Sequence, residues 1–423
     1  MINRKFIKGK IDSGFRYASA FAKWLCISIA LGVVGGIVGS LFHMAVNIVT
    51  NFRTGNHEWT VFLAPAAGLL IVFLYRACKI DEETGTNLII SSIRTNIKVP
   101  VIMAPLIFVS TVLTHFVGGS VGREGAALQL GGSIGAKAGE ILRLDEKDMS
   151  LVIMCGMSSV FAALFGTPLT ATLFAMEVIS VGVIYYVGLV PCIASSLVAY
   201  KISLLMGLPP TTFKIGSEVP RLSLVSVTQV GMIAVLCALV SILFCVVMKR
   251  SHDMFRVHIK NAYLRIVVGG LILIFLTLIT SGDYNGAGGG IISAAIEEGN
   301  ARPLSFLLKI LFTAVCIGTG FKGGEIVPTF FIGATFGCVC APLVGADPCF
   351  GAAIGLVAMF CAVVNCPIAS VFLSYELFAG QGTVLFAIAC GVSYMLSGYY
   401  GLYSSQKIMY SKLKPEYINI NAK

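Results

Sequence analysis

Twelve apolar runs, near 22–50, 60–78, 100–117, 150–164, 168–198, 226–248, 264–280, 304–320, 329–343, 351–364, 368–379 and 384–398, set the terms on which this chain can fold. Of its 423 residues, 57% are apolar and only 12% are Asp, Glu, Lys or Arg. A soluble domain carries about 25% charged residues, so this chain has too few to cover a water-facing surface. The hydrocarbon of a bilayer is the solvent that such a surface fits. The 46 glycines agree, because small residues let membrane helices approach closely. The class is therefore an all-α polytopic membrane protein embedded in a lipid bilayer.

The formal net charge of +10 does not point to nucleic acid. Its cations sit in short clusters between apolar runs. Arg4, Lys5, Lys8 and Lys10 precede the first run; Lys249, Arg250, Arg256, Lys260 and Arg265 are expected to fill one interior loop; Lys407, Lys412 and Lys414 follow the last run. The positive-inside rule places these clusters, and both termini, in the cytoplasm of a multi-pass protein of the cell's inner (plasma) membrane. The run from Trp24 to Val49 is too long for the apolar core of a cleaved leader and reads as a span. The 13 cysteines are scattered through apolar segments without a C-x-x-C pair, as small buried residues would be.

Several runs are shorter than the ~20 residues that cross a bilayer. Others are broken by proline, at Gly166-Thr167-Pro168 and Asn365-Cys366-Pro367. Such segments predict discontinuous helices meeting near the midplane. The chain also repeats itself. Residues 156–178 align without gaps on 355–377, matching Phe161 with Phe360, Pro168 with Pro367 and Glu177 with Glu376. Residues 121–132 align on 322–333, matching Glu124 with Glu325, and 88–92 align on 290–294. Three matches in one order at nearly one shift imply a duplication of about 200 residues. Transporters built this way hold their ion at the repeat interface. The sequence alone leaves open whether the copies are parallel or inverted.

The segment GGSVGREGAALQLGGSIGAKAG, 118–139, is the richest in chemistry. Its glycines allow a tight loop with exposed amides, running into a helix whose N-terminal N–H groups attract anions. Glu124 stands at that N-terminus, where a carboxylate can occupy an anion site and leave it on protonation. The alternative is a helix-capping glutamate, although acids inside membranes are functional by default.

These residues resemble the CLC family of anion channels and transporters. GREGAALQLGGSIG is similar to the family's GREGP-type segment, with Ala126 for the proline. FGTPLTATLFAMEV (165–178), GGEIVP (323–328) and GLYSS (401–405) resemble further family segments in family order, across essentially the whole chain. The resemblance implies two inverted repeats with many tilted and broken helices, and a homodimer with one anion pathway per subunit. It divides the chain into an N-terminal cytoplasmic segment (1–20), membrane repeats at 21–207 and 208–403, and a short cytoplasmic tail (404–423). It makes Glu124 the gating and proton-transfer glutamate and Tyr403 an inner hydrogen-bond donor to the anion; the alternative for Tyr403 is an aromatic at the membrane interface. Anion-binding positions carried over are Thr86, Asn87, Gly122, Arg123, Gly125, Ile326, Val327 and Tyr403. No metal or other cofactor is implied.

Three departures bear on the anion. Where the chloride branch has a GSGIP-type serine, this chain reads Gly85-Thr86-Asn87-Leu88-Ile89. The asparagine resembles the fluoride-exporting bacterial branch and offers an amide donor, whereas Thr86 keeps a hydroxyl; the alternative is an N-cap pair. In GGEIVP, Glu325 resembles the fluoride branch and is a candidate proton relay, or else a structural acid near Lys322. Val178 stands where chloride exchangers place an internal proton-transfer glutamate, and it cannot carry a proton. Glu177, with its repeat partner Glu376, reads as structural. The leading expectation is fluoride/proton antiport, with small monovalent anion and proton as partners. The runner-up is a chloride-selective channel or exchanger. An enzyme is disfavoured: His43, His57, His115, His252 and His258 form no metal motif, and the G-x-S-x-G patterns around Ser120 and Ser133 lie in glycine-rich membrane segments. The short stretch after the last run is expected to leave no room for an appended nucleotide-binding domain.

Overall fold

The structure, a computed structural model, describes residues 4–55, 57–80, 85–95 and 97–423. Its first half comprises α1 (Arg4–Thr54), α2 (Ala64–Ala77), α3 (Thr86–Thr95), α4 (Met103–Phe116), α5 (Glu124–Ile141), α6 (Glu146–Phe165), α7 (Pro168–Glu177) and α8 (Leu189–Leu205). The second comprises α9 (Leu224–His258), α10 (Ala262–Thr280), α11 (Gly289–Glu297), α12 (Ser305–Thr319), α13 (Ile326–Cys340), α14 (Pro348–Val364), α15 (Pro367–Leu377) and α16 (Thr383–Leu396). The two halves run through the same sequence of long, medium and short helices. Among the described residues, seven helices are long and apolar enough to cross a bilayer. The short ones, α3 and α7 with 10 residues, α11 with 9 and α15 with 11, cannot span it alone.

The same local devices build both halves. Asp145 caps α6 by accepting from Asp148 N, and Asp347 caps α14 by accepting from Cys349 N and Phe350 N. Gly166 ends α6 in the left-handed region (φ 77°) and Asn365 ends α14 the same way (φ 55°). In each case proline opens the next helix two residues later, where its missing N–H costs nothing. Glycine then lets paired helices touch backbone to backbone. A Cβ on Gly131 would lie 2.2 Å from the carbonyl oxygen of Gly156, and one on Gly333 would lie 2.4 Å from that of Gly355.

The halves are inverted relative to each other. Gly122 and Gly324, from corresponding loops, exchange backbone hydrogen bonds of 2.6 and 2.7 Å as an antiparallel bridge. Glu177 accepts from Ile368 N and Ala369 N at the start of α15. Glu376 accepts from Leu169 N and Thr170 N at the start of α7. Each carboxylate thus satisfies the free amides of the opposite half's helix, the structural role expected of this pair.

Two expectations need correction. The basic cluster after the sixth run is no loop. Lys249, Arg250 and Arg256 continue α9 to His258, and Arg265 is buried inside α10, so only Ile259–Asn261 connect the helices. Lysine and arginine are good helix formers and favour a helix C-terminus, so the helix outlasts its apolar run. The apolar stretch 168–198 is likewise two helices, separated by the short strand β1 (Ser180–Val181). β1 pairs with β2 (Lys407–Tyr410), which pairs with β3 (Tyr417–Asn421), so the chain's end folds back onto the helices. The side chains of Arg4, Lys5, Lys8 and Lys10 lie outside the described residues.

Candidate functional site

The glycine-rich loop turns sharply after α4. Gly118 takes φ 77° and Gly119 N donates to Thr114 O at 2.8 Å. Its last glycine bridges to Gly324, which brings the N-termini of α5 and α13 face to face. Both helix ends carry amides that their own helices leave unbonded. Glu124, the first residue of α5, is fully buried. Its Oε2 accepts from Arg123 N at 3.0 Å, while Oε1 lies 3.7 Å from Arg123 Nε without a hydrogen-bond partner. A Cβ on Gly122 would stand 2.7 Å from Glu124 Oε2 and 3.1 Å from Val327 N. The carboxylate therefore folds back over Gly122 toward the first turn of α13, a place where only glycine fits. Arg123 is anchored from α1, its Nη1 donating to Asn47 Oδ1 at 2.9 Å.

One helical turn into α5, a cavity of about 500 Å³ opens, with Thr86, Asn87, Gln129, Glu325 and Tyr403 in its walls. Lys249, Arg265, Lys322 and Lys423 also line it, against Asp253 and Glu325, so its field favours anions. Glu325 is partly exposed here. A Cβ on Gly125 would lie 3.4 Å from Glu325 Oε2 and 3.6 Å from Thr86 Oγ1. Lys322 places its ammonium 4.7 Å over the ring of Tyr75.

The candidates Glu124, Gly122, Arg123, Gly125, Ile326 and Val327 thus converge where the two helix N-termini meet. Thr86, Asn87, Glu325 and Tyr403 surround the cavity below. Tyr403 is 2% exposed and its hydroxyl has no partner, which separates it from an aromatic of the membrane interface. Asn87 accepts from Ser405 N at 3.0 Å through Oδ1, which leaves its NH2 as the free end. Thr86 is engaged within the protein: its hydroxyl donates to Gly125 O and accepts from Gln129 Nε2. It caps no helix, and its one hydrogen is not free for an anion. Val178 is buried, and its carbonyl accepts from Gln406.

Sequence reasoning passed over Gln129, Gln406 and Asn365. Gln406 is fully buried and donates to the carbonyls of Val178 and Val364, one from each half. Asn365 donates to Tyr400 O and Gln406 Oε1. These bonds carry the segment that presents Tyr403. A lone glutamine or asparagine amid apolar runs was the only available signal.

A sequence model of the voltage-gated chloride channel family matches residues 67–398. A chloride/fluoride channel protein of Pseudomonas syringae is 35% identical over 92% of this chain and 88% of its own length. An H+/Cl− exchange transporter of Vibrio cholerae is 24% identical over 84% of this chain and 81% of its own. The crystal structure of a CLC-type fluoride/proton antiporter superposes with a TM-score of 0.87 at 31% identity, covering 91% of this chain and 98% of that one. A slow cyanobacterial Cl−/H+ antiporter shares the fold, with a TM-score of 0.77 at 19% identity. By sequence model, relatives and architecture together, this membrane-embedded chain belongs to the CLC family of voltage-gated chloride channels and related anion transporters.

Proposed function

We propose that the protein exports fluoride across a membrane in exchange for protons. The observation that carries this reading is the Glu124 carboxylate, buried between the N-termini of α5 and α13 with one oxygen unpartnered. A carboxylate there competes with an anion for the same amides, and protonation ends the competition. The amides at Gly122, Arg123, Gly125, Ile326 and Val327 receive the anion. The Asn87 amide and the Tyr403 hydroxyl donate to it lower in the path, and Glu325 relays the proton. Fluoride is favoured over chloride by Asn87 and Glu325, by Val178 in place of an internal acid, and by likeness to the antiporter described as fluoride/proton.

A chloride-selective channel or exchanger is the second reading, favoured by the Thr86 hydroxyl and by the chloride-exchanging relative. That hydroxyl donates to Gly125 O, which weakens the case. The reading extends to the whole assembly. Repeats at 21–207 and 208–403 form one subunit, two subunits pair as a homodimer with separate pathways, and both termini, with the 404–423 tail, face the cytoplasm of the plasma membrane. The activity is transport without chemical conversion and without a cofactor. Proteoliposome efflux followed first with a fluoride electrode and then with a chloride electrode tests the anion, while a pH-sensitive dye records protons. Fluoride efflux with proton uptake supports the proposal, and equal or faster chloride efflux overturns it.

A further inference from the structure

Among the described residues, Glu124 Oε1, Gln129 Oε1 and the Tyr403 hydroxyl are buried along this pathway without hydrogen-bond partners. Buried polar atoms are almost always satisfied, so each is poised to take a partner from the pathway. An anion satisfies the Tyr403 hydroxyl, which can donate. It cannot satisfy Gln129 Oε1, because a carbonyl oxygen only accepts. Its partner is a hydrogen-bond donor, either water or a protonated side chain of the cavity.

The orientation of the Gln129 amide is fixed by Thr86. The threonine hydroxyl has one hydrogen, directed at Gly125 O, 3.3 Å away. Its oxygen therefore meets the amide nitrogen of Gln129, at 3.2 Å. The carbonyl is left as the free end of a side chain that is 5% exposed and lines the cavity beside Glu325. Glu325 Oε2 and Thr86 Oγ1 both lie within 3.6 Å of the one point where a Cβ on Gly125 would stand. The Glu325 carboxyl and the Thr86–Gln129 pair thus border the same cavity beside Gly125.

We propose that Gln129 holds the proton-loaded form of Glu325, with the carboxylic acid donating a hydrogen bond to Gln129 Oε1. The proton stays on Glu325, no covalent bond forms or breaks, and the amide is never protonated. Once Glu325 ionises, its oxygens face the Gln129 oxygen lone pair to lone pair, and the contact is lost. The amide thereby distinguishes the two proton states of the relay. Its counterpart at the repeat shift of 201 is Phe330, so only the first half carries this device.

This inference rests on the antiport reading above, and one measurement separates the two. Wild-type protein in proteoliposomes is set under opposing fluoride and pH gradients, and the reversal potential gives the proton-to-anion ratio. That ratio is independent of how much protein is active. A wild-type potential that ignores the pH gradient overturns the antiport reading itself. With a coupled wild type, Gln129→Met, similar in shape but without an acceptor, lowers the ratio about two- to tenfold, toward the anion-only potential. A Gln129→Met potential equal to wild type overturns the assignment and leaves antiport standing. Gln129→Glu keeps an oxygen acceptor at the same place and retains coupling. If Gln129→Met carries no flux, Gln129→Glu decides: coupled supports the proposal, uncoupled overturns it.

Discussion

In the first half the residue before the loop acid is Arg123, and the one after it is Gly125; in the second half they are Gly324 and Ile326. The backbone is alike in both, glycine loop into helix N-terminus. The acids differ. Glu124 is sealed from solvent, folded over Gly122 and next to the Arg123 guanidinium. Glu325 is partly open to the cavity. A second pair of repeat-related acids, Glu177 and Glu376, behaves the opposite way, each accepting two amides of the other half's helix. Positions that stay equivalent under the repeat hold the halves together, and positions where the repeat has diverged are left for transport.

The sharpest way to break that comparison is to neutralise the diverged acids. Glu124→Gln keeps the size and removes the titration, and proton movement driven by an anion gradient should vanish in a pH-dye assay. Glu325→Gln should lower proton flux less, because the second acid serves the gate from a more open place. Equal losses in the two variants would erase the functional difference between them, and wild-type proton pumping in Glu124→Gln would refute the gate.

The next effect concerns Asn87, which faces the cavity from the first half only; the second has Gly289 at the aligned position. Asn87→Gly removes an amide that can donate to an anion, a loss of about 1.5–3 kcal/mol. Discrimination of fluoride from chloride should fall roughly tenfold or more. Unchanged relative fluxes would take Asn87 out of the selectivity site.

The equivalent acids should respond equally and without touching coupling. Glu177→Gln or Glu376→Gln keeps one acceptor oxygen and turns the other into a donor, so one of the two backbone amides loses its partner, each change costing about 1–3 kcal/mol. Thermal unfolding in detergent should drop by similar amounts in both, with the proton-to-anion ratio intact. A changed ratio in either would move that acid from scaffold to pathway.

Much of this was legible in the sequence because its signals are local. Gly-Thr-Pro and Asn-Cys-Pro mark helix breaks wherever they occur, and glycine followed by Arg-Glu-Gly forces a tight loop into a helix start. The duplication exposed the Glu177–Glu376 pair. What stayed hidden depends on contacts distant along the chain. Thr86 resembles an anion donor until Gly125 and Gln129, about 40 residues away, are seen to occupy its hydroxyl. Gln129 lies within GREGAALQLGGSIG, yet nothing local marks its carbonyl as unpartnered. The strands of the 404–423 tail carry no local sign, because strand pairing between residues 180 and 407 leaves no periodic trace in such short segments.

The smallest expected effect separates the two left-handed helix ends, Gly166 and Asn365. At Gly166 a Cβ would stand 2.4 Å from Pro210 Cα, so only glycine fits. At Asn365 the side chain is a strap: it donates to Tyr400 O and Gln406 Oε1, and Lys412 Nζ donates to its Oδ1. The strapped segment then runs through Tyr403 to Ser405, whose amide orients Asn87. Asn365→Gly keeps a residue at ease in the left-handed conformation and cuts only the strap. Stability should therefore fall by about 1–3 kcal/mol for the buried partners left unpaired, while Tyr403 and Asn87 also lose part of their positioning. Losing about 1 kcal/mol at the anion corresponds to roughly fivefold weaker apparent affinity, with the proton-to-anion ratio preserved. The concentration dependence of fluoride flux reads this directly. A drop in unfolding temperature with unchanged affinity would reduce the strap to a helix cap, and the second half's divergence at Asn365 would then be structural, like Glu376.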